Sequence, residues 1–276
     1  LFAGSREFLL YDCRDHAGHV NEDVFAYSNH SEAGSALVLY HNRYAEAHGT
    51  IHWSAAYADK RPDGSRPLRQ RALLEGLGFA HAPDDALLRC RDQVSSHEFL
   101  FRAGTLREHG LRVDLAGYGS RVFLDWHPVA RDARPWDELE RTLNGGGVAD
   151  LESALWDLAV APALRSLRMA MSAASATADT PNRREVLAAT LSAFLAESRR
   201  LLVLTGADDG TAEKRLATGL AALEAHRETF TASEHAAHLA WLWLEAAGHS
   251  LAPERASTMA LRLFDVEAGS IRIDGQ

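Results

Sequence analysis

Residues 24–28 (Val-Phe-Ala-Tyr-Ser) and 36–40 (Ala-Leu-Val-Leu-Tyr) are two apolar runs of strand length, and they decide the fold of the first half of the chain. The polar segment between them, residues 30–34 (His-Ser-Glu-Ala-Gly), has the composition of a hairpin loop. A third run, residues 50–57 (Thr-Ile-His-Trp-Ser-Ala-Ala-Tyr), alternates, with Trp53 on its apolar side. We therefore predict three antiparallel strands, with Trp53 in the core.

A second hairpin is predicted between residues 111 and 127. Gly119-Ser120 suits a two-residue turn, and pairing outward from that turn places Asp114 directly opposite Asp125. Like charges that face each other across a strand pair repel, so we expect compensating groups on the same face to neutralise them. These are Arg112, Arg121 and His127. A solvated, neutralised face is favoured over a catalytic or metal-binding pair of carboxylates, because two strands alone form no pocket.

The sequence pattern changes after Pro135. A short helix is predicted at Trp136–Leu143, and three glycines follow it. From residue 148 onward apolar residues recur at helical spacing, which is typical of antiparallel helices in a bundle, and Pro162 is expected to stop or kink the first helix. The predicted fold class is therefore α+β. Its parts are an antiparallel β-rich, sandwich-like domain at 1–132, a short helix with a Gly-rich linker at 133–147, and an α-helical bundle at 148–276.

Composition excludes several classes of partner. Among the 276 residues, 38 are acidic and 29 are basic, which gives a net charge of −9. A surface without clustered Lys and Arg lacks the electrostatic footprint of a nucleic-acid-binding protein. No stretch approaches the roughly 18 apolar residues of a membrane span. We expect a cytoplasmic protein with neither a nucleic-acid nor a membrane partner.

The cysteines and the chain ends carry two further expectations. Cys13 and Cys90 are far apart in sequence and suit buried thiols in a reducing compartment, although the sequence leaves a disulfide between them undecided. The first residue is Leu1 rather than methionine, and residues 271–276 read like the start of a strand. We therefore expect the chain to be a fragment of a longer protein.

Three short stretches of the sequence resemble a known family. They are residues 21–29 (Asn-Glu-Asp-Val-Phe-Ala-Tyr-Ser-Asn), residues 39–46 (Leu-Tyr-His-Asn-Arg-Tyr-Ala-Glu) and residues 122–125 (Val-Phe-Leu-Asp). Together they resemble the region that follows the catalytic barrel in large bacterial proteins of the α-amylase family (glycoside hydrolase family 13). The resemblance covers about residues 6–165. It includes none of that family's catalytic motifs.

The resemblance implies a role within a larger enzyme. The parent protein would act on α-linked glucans or related sugars, using a pair of carboxylates on a (β/α)₈ barrel. This chain has no succession of alternating strands and helices, so we expect the barrel upstream in the same polypeptide, and with it every catalytic residue. The alternative is a non-catalytic module that binds carbohydrate, with α-glucan as a candidate ligand, or another protein.

Candidate contact residues for a sugar or for the barrel are few. Asn21, Glu22 and Asp23 precede a strand, either as a polar cluster that faces a partner or as a turn that bonds its own backbone, and the turn is favoured. Tyr27 and Trp53 belong to a set of aromatic residues that would either stack on glucose rings or fill the core, and the core is favoured.

Histidines number 14, which suggests a metal site. His235 and His238 share a predicted helix face, but the further ligands that zinc requires are missing from the pattern. We expect neither a metal nor a cofactor.

Overall fold

The computed structural model describes residues 7–59, 61–132 and 134–175, together with a few single positions beyond them (189, 193, 196, 197, 200, 218 and 221). The chain divides into two compact units, Leu1–Leu155 and Trp156–Gln276. Most of the helical bundle predicted at 148–276 lies outside the described residues. Among the described residues, no helix is both long enough and apolar enough to cross a membrane.

The first unit is built mainly from strands. The strands are β1 Glu7–Arg14, β2 Val24–Ser31, β3 Gly34–His41, β4 Ala47–Ser54, β5 Tyr57–Ala58, β6 Leu68–Arg69, β7 Leu87–Asp92, β8 Glu98–Arg102, β9 Leu111–Leu115, β10 Ser120–Pro128 and β11 Gly147–Val148. The helices are α1 Leu73–Gly76, α2 Ala103–His109, α3 Trp136–Leu143 and α4 Leu151–Ser175, the last of which continues into the second unit.

Nine of these strands form one antiparallel sheet in the order β11-β8-β7-β10-β3-β2-β1-β4-β9. The sheet is an open half-barrel, and β5 and β6 form a separate two-stranded ribbon. The antiparallel β-rich character predicted for the first half of the chain is thereby confirmed. The strands do not divide into the two facing sheets of a sandwich, because β10 pairs with both β3 and β7 and joins them into one sheet.

The hairpin predicted at residues 24–40 is confirmed. β2 pairs with β3 along its whole length, from Val24 opposite His41 to Ser31 opposite Gly34. The predicted third strand is β4, and it pairs with β1 on one side and β9 on the other. Long-range pairing of this kind is set by the tertiary fold rather than by local sequence.

Trp53 is not in the core, and the prediction that it lies there is wrong. Its side chain is 51% exposed, whereas Ile51 and Ser54 are fully buried. The register explains the difference, since Cys13 lies opposite Ile51 but Tyr11 lies opposite Ser54. β4 thus carries one extra residue at a bulge, which reverses the alternation and turns Trp53 outward.

The second predicted hairpin is also wrong. β9 pairs with β4, and β10 pairs with β3 and β7, so the two strands are not neighbours. Asp114 consequently lies opposite His48 and not opposite Asp125. The residues at 119–120 are compatible with a tight hairpin, but β9 and β10 each pair with other strands of the sheet.

The inner face of the half-barrel holds the core. Buried side chains of β1–β4 and β7–β10 pack there with residues of α1 and α2, including Leu73, Leu77 and Leu106. α1 is fixed by a buried polar contact in which Tyr11 Oη lies 2.7 Å from Ser28 Oγ, and Ser28 Oγ donates to the Gly76 carbonyl oxygen at 3.3 Å. The chain's own helices α1 and α2 therefore cover part of the inner face.

The segment predicted as a short helix and linker is integrated into this unit. α3 confirms the predicted helix, while Gly147 and Val148 form β11, which pairs with β8 at the end of the sheet. Leu151 and Leu155 at the start of α4 are fully buried. α4 continues through Pro162 rather than ending there.

Candidate functional site

The outer face of the sheet carries an apolar surface made mainly of aromatic side chains. We call it the outer aromatic face and define it by Phe8, Leu10, Phe25, Tyr27 and Tyr40. Phe8, Leu10, Phe25 and Tyr40 are between 39% and 56% exposed, and Tyr27 is half-buried among them. These residues point away from the core because their neighbours in sequence point into it.

Cross-strand register makes this surface continuous. Leu10 lies opposite Tyr27, Tyr27 opposite Val38, and Val38 opposite Val122, so one apolar row crosses β1, β2, β3 and β10. A second contact joins Phe25 and Tyr40, which are paired residues with ring centroids 6.4 Å apart and ring planes inclined by 23°.

Two further aromatic rings of this face also contact each other. The rings of Phe8 and Tyr27 lie 5.4 Å apart, centroid to centroid. Five side chains about half exposed present on the order of 400 Å² of apolar area, which is within the range of functional patches on protein surfaces.

A second feature is a cleft between the two ends of the sheet, here called the sheet-end cleft. Its volume is about 880 Å³, and it is lined by β9 from one end of the sheet and by β8 and β11 from the other. Side chains of β4, β10 and α2 and the loop after α3 complete its walls. The polar and charged residues that line it are His16, His48, Thr50, Arg102, Thr105, His109, Arg112, Asp114, Arg121, Glu140 and Asn144.

Most charges in the sheet-end cleft are paired within the protein. Asp114 Oδ1 lies 2.8 Å from His48 Nδ1, and Asp114 Oδ2 lies 2.7 Å from Arg112 Nε. The hydrogen bond with His48, helped by Arg112, holds the pKa of Asp114 below its usual value although desolvation opposes the shift. The same hydrogen bond raises the pKa of His48. Asp114 is thus paired with Arg112 and His48.

The polar cluster before β2 is a turn. Asn21 Oδ1 accepts a hydrogen bond from the Asp23 amide at 3.0 Å, and the Asn21 amide donates to the Cys13 carbonyl oxygen at 2.8 Å. Asp23 also accepts a hydrogen bond from Arg43 at 3.0 Å. Glu22 is exposed. These contacts are those of the favoured turn interpretation.

The remaining candidates are dispersed. Trp53 is exposed on β4 beside His52, with ring centroids 5.1 Å apart, and Tyr27 lies on the outer aromatic face. Asp125 is exposed at a bulge of β10 and has a φ of 56°, a left-handed conformation that is uncommon outside glycine. The structure therefore brings Tyr27 into a candidate site and leaves Trp53 and Asp125 apart from it.

Metal ligands do not converge in the part of the chain that the structure describes, where no group of three or more His, Cys, Asp or Glu is positioned to hold an ion. His235 and His238 lie outside the described residues. Cys13 and Cys90 are separate buried thiols rather than a disulfide, and burial raises the pKa of both.

Sequence reasoning missed Phe8, Leu10 and Phe25 as surface residues. The signal was present, because residues 8–11 (Phe-Leu-Leu-Tyr), 24–27 (Val-Phe-Ala-Tyr) and 36–40 are apolar at every position. A strand that is apolar at every position is typical of a sheet covered on both faces, whereas a half-exposed strand alternates.

Profiles of known protein families, curated proteins and solved structures were all compared with this chain, and none of them matches. Its function is therefore inferred from the geometry of the outer aromatic face and from the family resemblance of residues 21–29 and 39–46.

Proposed function

We propose that this chain is a non-catalytic accessory region of an α-amylase-family glycoside hydrolase, and that the outer aromatic face packs against the catalytic barrel of the same polypeptide. The observation that carries the proposal is a sheet that packs its own helices on its inner face and whose outer face remains apolar across four strands. The sequence resemblance supplies the identity of the occupant. The parent enzyme would act on α-glucans or related sugars.

The chemistry of the outer aromatic face favours a protein surface over a sugar. Phe8, Leu10 and Phe25 offer no hydrogen-bonding groups, and the polar groups of the face are the hydroxyls of Tyr27 and Tyr40. Ligand pockets for small molecules are concave and combine apolar walls with several convergent polar groups. A face on the outside of a half-barrel with two hydroxyls matches a domain interface, which typically buries about 600–1,500 Å².

The experiment is association in trans. The barrel encoded with this chain is produced separately, and its affinity for the chain is measured by calorimetry. Leu10→Asp is expected to weaken association about ten-fold or more, because a carboxylate buried without a partner costs more than 1.4 kcal/mol. Leu68→Asp is the matched control, since Leu68 is 76% exposed on the separate ribbon and should leave affinity unchanged.

Two results would refute this proposal. One is a parent polypeptide without a barrel. The other is equal affinity for the barrel in the Leu10→Asp and Leu68→Asp variants, which would place the interface elsewhere on the chain.

A second candidate function is binding of α-glucan on the same face. It is favoured by one observation, the exposed and nearly parallel rings of Phe25 and Tyr40, which match the spacing of an aromatic platform. Under this alternative, soluble α-glucan retards the wild-type chain in native electrophoresis, and Phe25→Ala abolishes the retardation. Retardation that persists unchanged in Phe25→Ala would exclude the platform.

The proposal also includes the wider sequence-based expectations. We propose that residues 148–276 form a helical bundle that caps or extends the barrel, and that the protein works in the cytoplasm. Support for a reducing compartment comes from Cys13 and Cys90, which are buried as free thiols.

A further inference from the structure

Arg121 stands apart from the other charged residues of the sheet-end cleft. It lies on β10 opposite Leu39, on the inner side of the sheet. Its guanidinium carbon lies 5.4 Å from the centroid of the Phe99 ring, in a cation–π contact at the wall of the cleft. Arg121 is half-buried. It therefore projects a cation into the cleft over an apolar floor.

Its pairing distinguishes it from the other arginines. Within the described part of the chain, no carboxylate oxygen lies within 4 Å of the Arg121 guanidinium, whereas Arg102 contacts Asp137 at 2.5 Å and Arg112 contacts Asp114 at 2.7 Å. The other arginines whose side chains the structure describes and that lack such an ion pair are exposed to solvent. They are Arg61, Arg66, Arg91, Arg141 and Arg165.

This arrangement leaves the donors of Arg121 without a partner among the described residues. A guanidinium carries five N–H donors and stays charged at every physiological pH. Among the described atoms, none accepts a hydrogen bond from the Arg121 side chain within the usual geometric limits. Arg121 is only partly buried, so its N–H donors remain available to a ligand in the cleft. The stacking contact with Phe99 covers the plane of the group and leaves its donors for such a ligand.

We propose that the sheet-end cleft binds a small organic anion whose phosphate or carboxylate group is held by Arg121. Bidentate recognition by a planar guanidinium is the preferred geometry for both groups. The volume of about 880 Å³ is in the range of small-molecule sites. Arg102 and Arg112 are neutralised by carboxylates of the protein, so Arg121 supplies the positive charge. This site is distinct from the outer aromatic face and does not depend on the function proposed for that face.

The test is a titration of the full chain, labelled with ¹⁵N, by inorganic phosphate at constant ionic strength. The arginine Nε–Hε signals are followed by NMR, and the Arg121 signal is assigned as the one absent from Arg121→Gln. It is expected to shift saturably with a dissociation constant on the order of 1 mM, the range of a single charge-assisted contact. A parallel titration with acetate distinguishes the source of the anion. Stronger binding of phosphate indicates a phosphate ester, and stronger binding of acetate indicates a carboxylic acid.

Two variants separate anion binding from a packing role. In Arg121→Lys the charge is retained and the bidentate geometry is lost, so the shifts induced in cleft amides such as Asn144 are expected to need about five to ten times more phosphate. In Arg141→Gln, which removes an exposed arginine outside the cleft, the titration should be unchanged. The proposal is overturned if the wild-type Arg121 signal does not shift with either anion, or if Arg121→Lys binds phosphate as tightly as the wild type does.

Discussion

Gly76 brings α1 against the side chains of β1 and β2, and it provides a sharp test of the packing. A Cβ added at Gly76 would overlap Tyr11 Oη, and it would lie 2.8 Å from Ser28 Oγ and 2.9 Å from Leu9 Cδ1. Non-bonded Cβ contacts below 3.0 Å essentially never occur. Gly76→Ala is therefore expected to destabilise the fold by about 1–3 kcal/mol, the usual cost of overpacking a core.

A second substitution isolates the cause. Tyr11→Phe removes the hydroxyl that the new methyl group would meet, and by itself it loses the 2.7 Å hydrogen bond to Ser28 at a cost of about 1 kcal/mol. In the double variant the methyl group gains the space of the missing hydroxyl. The double variant is therefore expected to be about 1 kcal/mol more stable than the sum of the single effects, a coupling typical of residues in contact.

Native-state hydrogen exchange is the assay, because the amides of β1 and β2 report the free energy of opening in the region that α1 covers. Tyr27→Phe is the control, since Tyr27 lies on the opposite face of β2 and should combine additively with Gly76→Ala. If Tyr11→Phe and Gly76→Ala are additive within about 0.5 kcal/mol, the helix is not seated on Tyr11 and the reasoning fails.

Three further predictions concern buried groups. Asp92 is 1% exposed, and although burial raises its pKa, hydrogen bonds from backbone amides and a serine outweigh that effect and lower it. Its contribution to stability is therefore present above the unfolded pKa of about 3.9 and is lost as pH falls through the lower folded pKa, so Asp92→Asn should flatten the acid-unfolding curve. Ile51→Ala should lower the free energy of unfolding in urea by about 2–5 kcal/mol, whereas Trp53→Ala should change it by less than about 0.5 kcal/mol. Cys13 and Cys90 should react with a thiol reagent only as fast as the native protein opens.

A specific result would contradict each of these three predictions. An acid-unfolding curve that is equally steep in Asp92→Asn would show that another carboxylate governs acid stability. A decrease of more than about 2 kcal/mol in the free energy of unfolding of Trp53→Ala would show that Trp53 is part of the core. Immediate labelling of Cys90 in the native protein would contradict its burial.

Local sequence was sufficient for several of the strands and for two of the helices. The apolar runs at 24–28 and 36–40 predicted β2 and β3 because two strands that are close in sequence pair through a short loop. The role of Asn21 in a turn was also predictable, since its side chain accepts a hydrogen bond from a backbone amide two residues away. These features depend on contacts between residues close in the chain.

The residues of the candidate sites were harder to predict from the sequence. Tyr27 was identified as an aromatic candidate, but its place on an exposed surface depends on which face of the sheet α1 and α2 cover. Arg121 was considered only as a counterion for a carboxylate pair that does not form. Its contact with Phe99 joins β10 to β8, two strands that are not paired with each other.

The sequence by itself determined where β2, β3, β4, β9 and β10 lie and that several strands are apolar on both sides, because propensity and period are local properties. Only the tertiary structure decided that β9 pairs with β4 rather than with β10, and that a bulge turns Trp53 outward. The physical reason is that strand partners are chosen by burial summed over the whole sheet. One inserted residue in β4 then reverses every side chain that follows it.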